Sequence, residues 1–252
     1  MIDHLSYSQV AHYLSCQRSY RYKYVNEIPT AANDALLFGS AWHKMISKCL
    51  VDGGHTPLDE IWSGACAENP DVMPDELFEL GLKMVSSHLV TLQKLSAYDE
   101  MIDHYIEFSI PNVPVPIIGY IDMVADDRVP VDFKTASRKW TQAQADQSLQ
   151  PTFYLAGLHY QGFLKASDFP AKFRYIIFTK TKTPDVQILE TTRTASDIIN
   201  MFTLVEACWQ AIKNGTFLPT GAGSWRCSEN YCDFWERCMG GIKDEIRKTI
   251  PT

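Results

Sequence analysis

The chain has 252 residues and a formal net charge of −7 at pH 7, and hydrophobic residues make up 46% of it. This composition excludes a disordered chain and predicts a single folded domain with a sizeable core. Because the sequence has neither a run of about eighteen uncharged apolar residues nor a secretion signal at its N-terminus, we expect no membrane span and a cytoplasmic location, in a bacterial or archaeal cell or in the host of a phage.

The first part of the chain predicts helices. Ser6 and Ser8 are candidate N-caps of a first helix. A second helix is predicted over about 36–50, ending at Gly53-Gly54, and a third over about 74–95.

The middle of the chain predicts strands. Residues 104–110 predict one strand, and the apolar runs 116–125 and 129–134, joined by a short polar turn, predict a hairpin. A helix around 153–160, a second hairpin over about 173–190 and a last helix over about 196–214 follow. This order predicts a mixed α/β fold with a central mixed sheet flanked by helices.

Two aspartates and a lysine stand out in the first predicted hairpin. Residues two apart in a strand share a face, so Asp132 and Lys134 are expected to project together. Asp122 lies in the apolar run of the preceding strand, where a charge is costly unless it is paired or binds a metal ion. The pattern predicts a site in which both aspartates share a cation and Lys134 orients a water molecule. A polar solvent face without function is the alternative.

Three further residues are candidates for the same site. His43 follows Gly39 by one helical turn, so the small residue leaves room beside the imidazole. Gln150 and Tyr154 are also one turn apart and could hold a phosphate or the lysine. Each pattern alone is more typical of ordinary helix packing.

Four of the seven cysteines suggest a second site. Cys227, Cys232 and Cys238 fall within twelve residues, and Cys16 is the candidate fourth ligand. Without an export signal, disulfides are less expected than ligation of a [4Fe–4S] cluster or a zinc ion. Cys49, Cys66 and Cys208 lie in apolar surroundings and are expected in the core.

Taken together, these motifs resemble the RecB-like branch of the PD-(D/E)xK nucleases, and specifically its iron–sulfur members. That group includes CRISPR-associated single-domain exonucleases, the nuclease domain of AddB and phage relatives. The matching motifs occur in family order along most of the chain: Cys16-Gln-Arg18, Gly39-x-x-x-His43, Gly119-Tyr-Ile-Asp122, Asp132-Phe-Lys134, Gln150-x-x-x-Tyr154 and the terminal cysteine trio.

The resemblance implies a restriction-endonuclease-like fold over residues 1–252, with a cluster-binding module formed by about 1–25 and 216–245. It implies Mg²⁺ or Mn²⁺ held by His43, Asp122, Asp132 and the carbonyl of Phe133, with Lys134 as the catalytic lysine. Gln150 and Tyr154 are implied as supporting residues. The four cysteines named above are implied as ligands of a [4Fe–4S] cluster.

The function implied is a metal-dependent DNA exonuclease that prefers single-stranded ends, in repair, recombination or phage or CRISPR DNA processing. The acidic net charge does not oppose this, because phosphate contacts need only local basic residues. Candidate DNA contacts are Arg18, Tyr20, Arg21, Arg138 and Lys139.

Two other functions stay open at this point. One is a nuclease-fold DNA-binding adaptor that acts with a helicase, recombinase or integrase. The other is a structural zinc protein whose hairpin carboxylates are incidental. The chain has no phosphate-binding G-x-x-x-x-G-K-[ST] loop, so any helicase partner is expected to be a separate protein.

Overall fold

The computed structural model describes residues 2–30, 33–68, 71–220 and 224–239. The chain divides into two compact units, the first formed by 1–31, 109–117 and 202–252 and the second by 32–108 and 118–201. The segments expected to form the cluster-binding module belong to the first unit, although 221–223 and 240–245 lie outside the described residues.

Five strands form one sheet in the order β1-β2-β3-β4-β5. The β2–β3 and β4–β5 pairs are antiparallel, whereas β3 and β4 are parallel. A parallel pair needs a crossover connection, and two helices between β3 and β4 provide it. The expected mixed α/β architecture is therefore confirmed. The strands are β1 (Ala97–Phe108), β2 (Ile117–Ala125), β3 (Pro130–Ala136), β4 (Ala171–Thr179) and β5 (Val186–Arg193).

The described residues also form eight α-helices, a π-helical turn at Arg21–Val25 and a short 3-10 turn at Ala166–Asp168. The longer helices agree with the sequence expectations to within a few residues, whereas α4 and α6 were not predicted. The helices are α1 (Tyr7–Ser15), α2 (Gln17–Tyr20), α3 (Asp34–Asp52), α4 (Leu58–Ala67), α5 (Asp75–Gln93), α6 (Gln142–Gln147), α7 (Gln150–Tyr160) and α8 (Ala195–Lys213).

One face of the sheet packs against α3, α4 and α5. Trp42 of α3 and Trp62 of α4 are fully buried there with Phe133 and Phe178 of the sheet. Gly81 of α5 is required for this packing, because an added Cβ would lie 2.0 Å from the Trp62 ring. These aromatic contacts hold α3 in place over the sheet.

The opposite face packs against α7, which is apolar on all sides and buried from Gln150 to Leu158. The helix approaches β1 closely at Gly157, where an added Cβ would lie 2.6 Å from Ile106. Pro151 lies in the first turn of α7, where proline is tolerated because no intrahelical donor is lost.

The first unit contains α1, α2 and most of α8. Tyr13 donates a hydrogen bond from its hydroxyl to the Thr216 carbonyl at 2.9 Å, and Leu5 forms a parallel bridge with Ile117. Cys208 is buried in this unit, as Cys49 and Cys66 are in the other. No helix among the described residues is long and apolar enough to cross a membrane.

Candidate active site

Asp122 lies where β2 leaves its pairing with β3. The two strands pair at Met123 with Val131 and at Val124 with Pro130. Just beyond these pairs, Asp122 Oδ2 accepts a hydrogen bond of 2.6 Å from the backbone N–H of Phe133. A side-chain carboxylate thus satisfies a backbone donor in the middle of β3, which fixes Asp122 beside Asp132.

Asp132 is buried on the α7 side of the sheet, with 2% of its surface exposed. Its Oδ1 accepts a hydrogen bond of 2.5 Å from Gln150 Nε2, and its Oδ2 lies 2.6 Å from Lys134 Nζ. Burial raises the pKa of Asp132 to about 6; the charge of Lys134 opposes this increase, and the nearby Asp122 carboxylate adds to it. The expected side-by-side placement of Asp132 and Lys134 is seen directly.

His43 reaches the aspartates from α3. Its Nδ1 lies 3.2 Å from Asp122 Oδ1. Burial alone would lower the pKa of His43, but the hydrogen bond with Asp122 and the charges of Asp122 and Asp132 outweigh it and raise the pKa. Gly39, one turn earlier, faces β3, where an added Cβ would make an ordinary contact of 3.7 Å with Thr135 Oγ1.

Gln150 and Tyr154 approach the site from α7. The Gln150 amide donates both to Asp132 and to the Tyr154 hydroxyl, the latter at 3.1 Å. In this structure Gln150 therefore holds a carboxylate rather than the lysine. Gly119 of β2 leaves room for this arrangement, because an added Cβ would lie 3.2 Å from the Tyr154 ring.

Arg193, which the sequence did not single out, fixes the junction between α6 and α7. This arginine of β5 is 6% exposed. Its guanidinium donates to the carbonyls of Asp146 and Ser148 at 3.0 and 2.7 Å and to Thr152 Oγ1 at 3.0 Å. The contacts lie on both sides of Gln150 in the chain. Its signal in the sequence would be a charged residue in a half-buried strand, which is too common to be diagnostic.

The donor atoms of the site suit a hard divalent cation. Within the described residues, no group of three or more His, Cys, Asp or Glu side chains is arranged to hold a metal ion as it stands. The carboxylates are instead engaged by N–H donors and by Lys134. Asp132 Oδ2 is buried, with the Lys134 ammonium group beside it. Carboxylate and imidazole ligands are compatible with Mg²⁺ or Mn²⁺, so the residues present fit such an ion.

The four cysteines of the predicted second site line one cavity of about 570 Å³ in the first unit. Burial raises the pKa of the Cys232 thiol, and Cys16, Cys238 and Cys227 add to the increase. Within the described part of the chain, the four cysteines are not arranged to hold a metal ion as they stand. The pKa of the Cys16 thiol is lowered: burial alone would raise it, but hydrogen bonds with Thr220 and with backbone N–H groups outweigh the effect of burial.

The candidate DNA contacts have varied surroundings. Tyr20 is fully buried, so its ring is not on a surface that a base could reach. Arg18 Nη1 lies 3.8 Å from Cys238 Sγ, and Arg21 lies over the Phe217 ring. Lys139 is paired with Asp185 at 2.5 Å, whereas Arg138 is exposed.

Comparison with solved structures supports the fold. A structure from Eubacterium rectale, provisionally described as an exonuclease, aligns with a TM-score of 0.59 over 91% of this chain and 87% of its own, at 14% identity. A structure described as SSO0001 aligns over 90% of this chain and 92% of its own at 13% identity, but with a TM-score of only 0.32. No curated protein matches the chain.

Comparison with family models identifies the superfamily. The model described as the PD-(D/E)XK nuclease superfamily matches residues 4–239, nearly the whole chain. The matched segment includes both aspartates and the lysine that meet between β2, β3 and α7. The chain therefore belongs to the PD-(D/E)XK nuclease superfamily.

Proposed function

We propose that this protein is a divalent-metal-dependent deoxyribonuclease that degrades single-stranded DNA from its ends. The observation that carries the proposal is a set of three contacts. His43 contacts Asp122, Asp122 accepts a hydrogen bond from the backbone N–H of Phe133, and Asp132, the residue before Phe133, is paired with Lys134. Nucleases of this superfamily generally use Mg²⁺ or Mn²⁺. A separate helicase or recombination protein would supply such single strands in repair, recombination or phage or CRISPR DNA processing.

His43, Asp122, Asp132 and the Phe133 carbonyl would hold the ion. When bound, the ion supplies a water molecule of lowered pKa and polarises a phosphate oxygen. Lys134 keeps Asp132 ionised against the effect of burial, since its ammonium group lies 2.6 Å from the carboxylate. The same ammonium group can orient the attacking water and offset the negative charge that develops on the phosphate.

Gln150 acts on the orientation of Asp132. Its amide holds Oδ1 at 2.5 Å, so the carboxylate cannot rotate without losing a buried hydrogen bond. Tyr154 limits the movement of the same amide. Both residues support the site without touching the scissile bond.

We further propose that Cys16, Cys227, Cys232 and Cys238 hold a [4Fe–4S] cluster. Their shared cavity, and the effect of the other three cysteines on the pKa of Cys232, support this assignment. A zinc ion at the same thiolates is the alternative. Protein purified under anaerobic conditions should be brown and contain iron and sulfide, and a colourless protein that contains zinc would contradict the cluster.

The nuclease is tested by incubating the same preparation with Mn²⁺ or Mg²⁺ and single-stranded DNA labelled at either end. We expect progressive shortening that depends on the metal, and a rate for Asp132→Ala at least about a hundredfold lower, because even residues that only support a metal ligand often contribute that much. Asp127→Ala is the matched control: this carboxylate lies in the same hairpin but pairs with Arg174.

Two results would argue against the proposal. If wild type and Asp132→Ala degraded DNA equally, the activity would not come from this site. If neither variant degraded DNA but both bound it, the protein would be the DNA-binding adaptor instead.

A further inference from the structure

Two tyrosines on neighbouring strands form an exposed aromatic pair. Tyr105 of β1 and Tyr120 of β2 are 39% and 59% exposed. Their ring centroids are 5.3 Å apart, with 53° between the ring planes. Single exposed tyrosines are common, but two in ring contact form a continuous aromatic surface that nothing in the proposed mechanism uses.

The pair lies on the face of the sheet that is turned away from α7. Ile106, next to Tyr105, and Gly119, next to Tyr120, are the residues that approach α7 at Gly157 and Tyr154. Since adjacent residues of a strand point to opposite faces, both tyrosine rings project from the other face.

His43 reaches the aspartates of the candidate active site from the same side, because α3 packs on the face of the sheet opposite to α7. Tyr120 lies two residues before Asp122 on β2. On the neighbouring strand Asp103, two residues before Tyr105, lines a cavity of about 870 Å³ together with His43. The aromatic pair therefore lies close to the candidate active site along both strands, on the side from which His43 reaches the aspartates.

We propose that Tyr105 and Tyr120 form a stacking platform for an unpaired base of the DNA strand that enters this site. The inference rests on the proposed nuclease function and deepens it, because it specifies which part of the substrate is bound. A base in a duplex has both faces covered by its neighbours, so a stacking platform selects single-stranded DNA.

The surroundings favour a base over a phosphate as the bound group. The Tyr105 hydroxyl donates a hydrogen bond of 2.6 Å to Glu107 Oε2, which fixes the ring and places a carboxylate beside it. A phosphate would be repelled by this negative charge, whereas stacking on an aromatic face needs no positive charge. The same hydrogen bond raises the pKa of Tyr105 to about 12, so the hydroxyl stays protonated and keeps donating.

The test measures binding of labelled single-stranded DNA by fluorescence anisotropy in EDTA, where metal-dependent hydrolysis is absent. We expect Tyr120→Leu to weaken binding about 5- to 100-fold, as is typical for the loss of one stacked base, and Tyr120→Phe to bind as the wild type does. Tyr160→Leu is the matched control, since Tyr160 is a comparably exposed tyrosine at the end of α7. It should bind normally.

Oligonucleotides that each lack one base identify the contact directly. The wild type should lose affinity when one particular base is missing, and Tyr120→Leu should be insensitive at that position. Equal affinities of wild type and Tyr120→Leu, or no binding of single-stranded DNA by the wild type, would overturn the platform. A change of oligomeric state in Tyr120→Leu, without a change in DNA affinity, would instead identify a protein interface and also overturn it.

These results separate the platform from the nuclease. Binding that depends on Tyr120 in a protein that cuts no DNA would leave the platform standing and remove the proposed activity. If Tyr120→Leu cleaved DNA with an unchanged Michaelis constant, the nuclease would stand and the platform would be overturned.

Discussion

At the residue scale, the burial of Asp132 opposes the charge state that its proposed role requires. Its burial favours the protonated form, whereas its proposed role as a metal ligand requires the ionised form. Lys134 stabilises the carboxylate by its charge, and Gln150 stabilises it by a hydrogen bond at the other oxygen. The two interactions differ in one respect: Lys134 is also expected to act on the substrate, whereas Gln150 is not.

Replacing Gln150 should therefore affect the metal site more than the fold. We expect Gln150→Ala to lower kcat about 10- to 100-fold and to require a higher Mn²⁺ concentration for half-maximal rate, as is common when a supporting hydrogen bond to a metal ligand is lost. Steady-state kinetics over a range of Mn²⁺ concentrations measures both. Gln147→Ala, an exposed glutamine of α6, is the control. An unchanged Mn²⁺ dependence in Gln150→Ala would show that the hydrogen bond does not support the ion.

The sequence predicted these residues unequally well. Strand alternation was enough to place Asp132 beside Lys134, because that relation is local. The contact of His43 with Asp122 joins residues 79 positions apart and depends on how α3 packs over the sheet. From the sequence, only the resemblance of the motifs to a nuclease family predicted that His43 belongs to the site.

At the scale of elements, hydrophobic periodicity predicted most of the longer helices and missed both α4 and the short polar α6. The residues of α6 have no apolar stripe, so nothing in its hydrophobic pattern predicts a helix. Its local signal is the capping box of Thr141 and Gln144, which the structure shows. The order of strands and helices predicted a mixed sheet, but it did not identify β3 and β4 as the parallel pair, which depends on the crossover through α6 and α7.

Arg193 ties these two helices to the sheet. We expect Arg193→Gln to destabilise the protein by about 2–3 kcal/mol, because buried carbonyl groups of the α6–α7 junction lose a charged donor. Urea unfolding followed by circular dichroism measures this. Arg174→Gln removes a surface arginine of β4 that pairs with Asp127 and Glu190, and it should cost less than about 1 kcal/mol.

The same variant tests whether the junction positions Gln150. If Arg193 acts through Gln150, Arg193→Gln should lower kcat in the wild type but not in the Gln150→Ala background. If the two substitutions lowered kcat by independent factors that multiply in the double variant, Arg193 would support only the fold.

At the scale of the whole molecule, the charge distribution limits how DNA can be held. The net charge is −7. Several cations on the second unit are already paired with carboxylates: Lys44 and Lys48 with Glu68, Lys139 with Asp185, Lys172 with Glu190, and Arg174 with Asp127 and Glu190. We therefore expect no extended track of phosphate contacts. Base stacking and the metal ion are then expected to contribute a larger share of the free energy of DNA binding.

This charge distribution predicts a shallow dependence of DNA binding on salt. Each neutralised phosphate of a single strand contributes about −0.7 to the slope of log affinity against log salt concentration, so two to four contacts correspond to a slope of roughly −1.5 to −3. Anisotropy titrations over a range of NaCl concentrations measure the slope. Tyr120→Leu should lower the affinity at every salt concentration without changing the slope, because a stacked base releases no counterions. A slope steeper than about −5 would show a continuous basic track, and DNA would then be held mainly by its backbone rather than by its bases.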